Sequence, residues 1–311
     1  MVVDTTEQKI SPWCRVLHHA ALNLLEEVYQ RTEADDALSA ESVHRQRILI
    51  KQLRSYQQLI RPLLPVRSIN YANLRIKKVG MILSGRRDRD VLMKTHQKLL
   101  KKTKNKKTIK SLKALEDLLN EIREESPATI PWSKIRQPVK IEIGFWNRQL
   151  TKWASDSDEK LIQGLSATYS RARKRFKSAY EDKDRNRYHD WRKWSKFLLY
   201  QLHFFSQHGG PKSRKQLTAL TKLGKLLGIH QDLQIYRKYI HQVSAHDFSS
   251  DQLARCDVLI RQREKALESQ CKKIGDQCFK EKATQFERRM RDKCLSSSAG
   301  EIHVADSSIT P

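Results

Sequence analysis

The sequence carries one cationic pattern twice, and its residue types suit the binding of anions. A histidine is followed by an arginine after three positions and by a lysine after four more, in two copies 189 − 44 = 145 residues apart: His44, Arg47, Lys51 and His189, Arg192, Lys196. Residues three and four apart share one face of an α-helix, so each set forms a single stripe. Guanidinium, ammonium and protonated imidazole groups bind phosphate oxygens through charge-assisted hydrogen bonds.

Apolar residues lie on both flanks of each stripe. The first stripe, which extends to Arg54, covers an arc of roughly 80° at 100° per residue. Leu53 and Ile48 flank it, and Trp194 and Phe197 flank the second stripe. A helix that is apolar on both sides of a basic stripe is nearly surrounded by protein. We therefore expect the stripes to line a cavity or groove.

Two sources of counter-charge are open for such stripes, because unpaired buried cations are costly. The protein could supply internal ion pairs from Asp88, Asp90 and Asp232. Alternatively, an external polyanion brings the negative charge. Acidic residues are too scarce near the stripes to neutralise both, which favours the polyanion.

Composition supports a helical protein that attracts polyanions. The 311 residues include 61 Lys and Arg against 35 Asp and Glu, a net charge of +26, with only 10 Gly and 8 Pro. This charge suits nucleic acid, an anionic membrane surface or a polymeric phosphate. The five cysteines contain no C-x-x-C pair, so we predict reduced thiols, no zinc or other metal and no cofactor. With neither a signal peptide nor a membrane span, the predicted location is cytoplasmic.

Hydrophobic periodicity predicts helices in two repeated sets. The first set comprises 13–34, 42–64, 71–83 and 88–100, with a further helix to about 125, and the second comprises 158–180, 187–207, 213–227, 232–243 and 250–294. Further matches 144 residues apart pair Lys78 with Lys222 and Asp88 with Asp232, which predicts a duplicated all-α architecture about a pseudo-twofold axis. The basic run 98–113 is expected to be exposed, as a solvated helix or a mobile loop.

The predicted organisation is a single domain over 13–292. Its first half covers about 13–125 and its second half about 141–292. The proline-containing segment 126–140 is expected to connect them. Residues 293–311 lack periodicity and are expected to form a disordered tail.

Several segments, in order, resemble the signatures of the CHAD family, the conserved histidine α-helical domains. They are His44–Arg54, Gly85–Val91, Thr168–Arg173, His189–Lys193, Leu227–Leu233 and Phe279–Lys282. The resemblance covers about 13–292. The Glu-x-Glu-x-Lys strand of a CYTH triphosphatase domain, to which many relatives are fused, is absent from this sequence, so the chain resembles the stand-alone form.

The resemblance implies two pseudo-symmetric four-helix bundles, with long antiparallel helices, around a basic central channel. It also implies non-catalytic binding of long-chain inorganic polyphosphate and association with polyphosphate granules. The anion contacts that it implies are His44, Arg47, Lys51, Arg54, Lys78, Arg171, Arg173, His189, Arg192, Lys193, Lys196 and Lys222. The sequence departs from the family pattern at Leu199, which replaces an arginine, and at Gln234, which replaces an aspartate. The two halves are therefore expected to contribute unequally.

Two other functions stay open on the residues alone. Basic run 98–113 and the aromatic content allow weak, non-specific nucleic-acid binding, although no RRM, KH or zinc-finger signature occurs and Trp191 and Trp194 are expected in the core. A metal-dependent phosphohydrolase could hold a divalent metal ion with Asp88, Asp90 and Asp232. Capping of two helix N-termini explains Asp88 and Asp232 more simply, so the chain is not expected to be an enzyme.

Overall fold

A computed structural model of the protein describes residues 11–33, 40–124, 132–153, 156–181, 186–247 and 249–295. Within these ranges all regular structure is helical, as predicted. A 3₁₀ turn (Arg61–Leu63) separates the second and third helices. The eleven α-helices are α1 (Pro12–Arg31), α2 (Ala40–Leu59), α3 (Val66–Ile82), α4 (Gly85–Lys102), α5 (Lys106–Glu124), α6 (Ser133–Leu150), α7 (Ser157–Glu181), α8 (Asn186–Gln207), α9 (Arg214–Asp247), α10 (Ser250–Cys278) and α11 (Ala283–Leu295).

The end of α2 and the start of α3 each lie five residues earlier than predicted (64 − 59 = 5 and 71 − 66 = 5), and three helix assignments differ more. The first is α9, which runs unbroken where two helices were predicted, because Gly228 continues the helix instead of ending it. The second is the predicted helix 250–294, which is two helices, since Phe279 turns into the core beside Phe176. The third is α6, which was not predicted. It contains Pro138, and burial of Ile135 on the same helix helps to offset the hydrogen bond that proline removes.

The predicted connection and tail lie only partly within the described residues. Residues 133–140 of the connection are helical, and 126–131 lie outside the described ranges. Residues 293–295 of the predicted tail belong to α11, and 296–311 lie outside the described ranges. In the basic run 98–113, the lysines lie on the last turns of α4, on the short link and on α5, and all of them are exposed as predicted.

Two hydrophobic clusters hold the helices together. The larger contains residues from α1, α2, α3, α6, α7, α8 and α11, and from the N-terminal part of α9 and the C-terminal part of α10. The smaller joins α4 and α5 to the C-terminal part of α9 and the N-terminal part of α10, through residues such as Leu99, Leu112, Tyr236 and Ile260. Both clusters thus combine helices from the two sequence halves, and α9 and α10 connect them.

Candidate anion-binding groove

The second cationic stripe lies where α8 packs antiparallel on α9, in what we call the α8–α9 groove. A side chain begun at Gly224 would have Lys196 Cε at 3.4 Å, and one begun at Gly228 would have Arg192 Nε and Nη2 at 3.7 Å. Glycine at these two positions leaves room for the long cationic side chains to lie along α9. The groove therefore has basic walls from α8 and a floor of helix backbone.

The N-terminal end of this stripe is more open and partly neutralised. His189 is exposed, and its Nδ1 lies 2.9 Å from Gln231 Oε1 on α9. Lys193 Nζ donates to Asp190 Oδ1 at 3.0 Å, and Arg175 lies 3.8 Å from the same carboxylate. Lys193 thus already has a counter-charge within the protein, whereas a residue that binds an external anion is expected to lack one.

The first stripe packs against α3 in an equivalent way. Arg47 Nη1 donates to Leu83 O at 2.8 Å and to Ser84 Oγ at 2.7 Å. Since 84 + 144 = 228, Ser84 is the repeat equivalent of Gly228, the residue beside Arg192. Arginines at matching positions of the two halves therefore contact matching positions of the neighbouring helix. Of the other stripe residues, His44 is exposed and Lys51 is half-buried.

The two stripes approach each other where α2 packs on α8. Gln201 Nε2 donates to Ser55 O at 2.8 Å. Next to this contact, Arg54 Cζ lies 5.7 Å from the ring centroid of Phe197, and its Nε donates to Asn73 Oδ1 at 3.3 Å. Burial lowers the pKa of Arg54, but a guanidinium stays protonated at neutral pH. Arg54 of the first stripe, on α2, therefore places a positive charge beside α8.

Arg171 on α7 joins the same series of contacts. Its Cζ lies 4.9 Å from the centroid of the Trp194 ring, which is a cation–π contact. Trp194 meets Phe197 edge-on at 5.5 Å, and Phe197 contacts Arg54. Burial, and then the neighbouring Arg61, lower the pKa of Arg171. Cations from α7 and α2 thus approach α8 through two aromatic rings.

Three of the expected anion contacts lie elsewhere. Arg173 Nε donates to the backbone oxygen of Phe279 at 3.1 Å, which secures the link between α10 and α11. Lys78 on α3 and Lys222 on α9 are exposed, and Lys222 lines the cleft described below. The structure thus places Arg47, Arg54 and Arg192 on the helix interfaces, and Arg173, Lys78 and Lys222 outside the stripes.

The structure agrees only in part with the predictions for the aspartates and the two tryptophans. Asp232 lies in the middle of α9, so its predicted role as a helix N-cap is wrong. Asp88 is in the first turn of α4, and its side chain, like that of Asp90, lies outside the described residues. Trp191 is fully buried as predicted, whereas Trp194 is only half-buried.

A basic cleft at the far end of the α8–α9 groove was not predicted from the sequence, although Lys222, one of the predicted anion contacts, lines it. It has a volume of about 700 Å³ and is lined partly by His203 and Lys225. The available signal was spacing: His203 follows Lys196 by seven residues, so it falls on the same helix face. Burial lowers the pKa of His203, which favours its neutral imidazole form.

The described residues contain no group of three or more His, Cys, Asp or Glu side chains placed to hold a metal ion. Nor is any helix in those ranges both long and apolar enough to cross a membrane. All five cysteines are free and buried, and burial raises the pKa of thiols such as Cys14 and Cys271 to about 12. They act as small core side chains.

The model of the CHAD domain family matches residues 20–241. Among solved structures, the crystal structure of the CHAD domain from the plant Ricinus communis is similar, with 18% sequence identity and a TM-score of 0.49, and the alignment covers 94% of this chain and 95% of that chain. No curated protein matches the chain.

Proposed function

Because the chain belongs to the CHAD family, we propose that it binds inorganic polyphosphate without catalysis, through the cationic stripes of α2 and α8 that line a basic channel. The observation that carries the proposal is the continuity of the cations. Arg192 and Lys196 lie along the α8–α9 groove, and Arg54 reaches α8 at Phe197. A polymer with one charge on every unit matches cations that continue from one helix to the next.

Polyphosphate suits these side chains chemically. Its units lack bases, so recognition depends on charge and on hydrogen bonds to phosphate oxygens. Arginine offers two parallel donors to such oxygens, and each phosphate contact releases condensed counterions. His44 and His189 are exposed at the ends of the two stripes, where their imidazole N–H groups can donate hydrogen bonds to phosphate oxygens.

Nucleic acid fits less well as the ligand. Sequence-independent binding of single strands depends on bases stacking on exposed aromatic rings beside cations. Trp191 is fully buried, and the Trp194 ring is already in contact with Arg171 and Phe197. Long polyphosphate should therefore displace RNA from the protein, while RNA should not displace polyphosphate. The reverse order would overturn the proposal.

The direct test is a titration with long-chain polyphosphate. The variant R47A/K51A/R192A/K196A removes two cations from each stripe and should bind at least one hundredfold more weakly than the wild type, on the basis of four charge-assisted contacts. The matched control removes four exposed cations in and just after α6: Lys134, Lys140, Arg148 and Lys152. It loses the same net charge, so a general attraction would weaken both variants equally and contradict the proposal.

Two further parts of the proposal have their own tests. A cytoplasmic protein with this ligand should be found at polyphosphate granules, and it should leave them when the four stripe residues are changed. Incubation with polyphosphate and Mg²⁺ should release no phosphate above a blank. Release that is abolished by Asp88→Asn would show a phosphohydrolase instead.

A further inference from the structure

The cleft at the end of the α8–α9 groove, here called the terminal cleft, is lined by residues that the repeated motifs do not include, with the exception of Lys222. Its volume is about 700 Å³. Two α8 residues and a series of residues at the start of α9 and just before it form its walls: His203, Ser206, Lys212, Arg214, Leu217, Thr218, Thr221, Lys222 and Lys225. Four of these nine are cations and none is acidic, so the cleft has a positive potential.

The register of the two helices makes the terminal cleft a continuation of the groove. Eleven residues separate Arg192 from His203 on α8 (203 − 192 = 11), and eleven separate Leu217 from Gly228 on α9 (228 − 217 = 11). Because the helices run antiparallel, the contact of Arg192 with Gly228 places His203 opposite Leu217, and both side chains line the cleft. One interface thus extends from the second stripe to the cleft.

The combined surface is long enough for an extended polymer. From His189 to Ser206 there are 206 − 189 = 17 residues of α8, or about 25 Å of helix at 1.5 Å per residue. Hydroxyl groups of Ser206, Thr218 and Thr221 can donate hydrogen bonds to phosphate oxygens, and exposed Lys and Arg side chains beside them supply charge. Such a mixture of donors fits a phosphate chain better than it fits a carboxylate or an apolar ligand.

The first half of the chain repeats only part of this cleft chemistry. At positions 144 residues earlier, Arg214 corresponds to Asn70 and Lys225 to Met81. Met81 and the nearby Leu74 are among the exposed apolar residues of α3. Lys222, by contrast, corresponds to Lys78. The charge that extends the second stripe is therefore only partly repeated beside the first stripe, and the two ends of the cationic surface differ.

We propose that the terminal cleft is an extension of the polyphosphate site, which holds the part of a long chain beyond the stripes and directs it over the N-terminal end of α9. This inference rests on the proposed function and adds the direction in which a long polyphosphate chain extends beyond the stripes. Short polyphosphate, which the stripes alone can hold, should not need the cleft, whereas long chains should gain affinity from it.

The test compares tripolyphosphate with long-chain polyphosphate on two charge-reversal variants. R214E/K225E changes exposed cations of the cleft, and R67E/K77E makes the same change in net charge on exposed cations of α3. For the cleft variant we expect long-chain affinity to fall about tenfold or more, and the salt slope to fall by about 1.4, which is 0.7 for each of two lost contacts. The α3 variant should change long-chain affinity less than threefold.

Tripolyphosphate separates this inference from the proposed function. If R214E/K225E binds it like the wild type and loses only long-chain affinity, the extension is confirmed. Equal weakening of long-chain binding by the two variants, or no weakening by R214E/K225E, would overturn the extension while leaving the stripes as the site. Failure of the wild type to bind either ligand would overturn the proposed function itself. Thr218→Trp, which fills the cleft at constant charge, should reproduce the long-chain loss.

Discussion

Replacing Gly224 and Gly228 with leucine should close the α8–α9 groove without removing any charge. Added Cβ atoms would lie 3.4 Å from Lys196 Cε and 3.7 Å from Arg192 Nε, which are ordinary van der Waals distances. Alanine therefore fits at both positions. Leucine adds three more carbons on each residue, and these carbons must enter the space where the Lys196 and Arg192 side chains lie.

The alanine variant G224A/G228A is the matched control, and its expected effect on stability follows from helix propensity. Glycine inside a helix destabilises it by about 0.5–1 kcal/mol relative to alanine, so the two changes in α9 should raise the free energy of unfolding by about 1–2 kcal/mol. Polyphosphate affinity should stay within about twofold of the wild type, because alanine displaces neither cation. G224L/G228L should bind about tenfold or more weakly, since two charge-assisted contacts are displaced.

Both quantities can be measured on the same samples. Urea denaturation gives the free energy of unfolding, and titration with long-chain polyphosphate at about 0.1 M salt gives the affinity. A folded G224L/G228L variant that binds like the wild type would refute the idea that the ligand lies in the groove. Weak binding by G224A/G228A would also refute it, because that variant leaves the groove open.

Three further predictions concern the scaffold and its thiols. Arg75→Ala should lower the free energy of unfolding by about 3–5 kcal/mol at pH 8, because it leaves the fully buried Glu142 carboxylate without the guanidinium 2.7 Å away. Burial raises the pKa of Glu142, and Arg75 opposes that rise. Without Arg75, the Glu142 carboxylate therefore takes up a proton more readily in the folded variant than in the unfolded chain. Denaturation should show that the loss in free energy of unfolding becomes smaller from pH 8 to pH 5. Gly164→Ala should destabilise by about 1–3 kcal/mol in the same assay, since its Cβ would lie 2.1 Å from Leu59 O, whereas Gly80→Ala, with 3.4 Å of clearance, should not. The cysteines are buried and free, so a thiol reagent should react with them slowly in the native protein and fully only in denaturant; rapid native reaction would contradict their burial.

Local patterns predicted the helices that carry the site because charge and apolar periodicity agree there. The stripe His189, Arg192 and Lys196 and its apolar flanks belong to one helix, α8, whose bounds were predicted within one residue. Gly228 misled the prediction, because a glycine inside a helical pattern also suits a helix end. Its role became clear only from the Arg192 side chain beside it, which belongs to another helix.

Tertiary contacts determine the features that local sequence patterns did not predict. Pro138 signals a connection when only local propensity is considered, yet α6 forms because its apolar face is buried against the rest of the protein. Asp232 was expected to begin a helix, but α9 continues through it to pack with α4 and α10 in the smaller hydrophobic cluster. The terminal cleft needed the register of α8 against α9, which no pattern within one helix contains.

The salt dependence of polyphosphate binding shows directly whether the cationic stripes contact the polyanion. The measurement is the slope of the logarithm of affinity against the logarithm of salt concentration, for the wild type and for R47A/K51A/R192A/K196A. If all four cations contact phosphates, the slope should become shallower by about 2.8, which is 0.7 for each of four lost contacts. An unchanged slope in the folded variant would contradict the account, because it would show that the repeated stripes do not contact the polyanion.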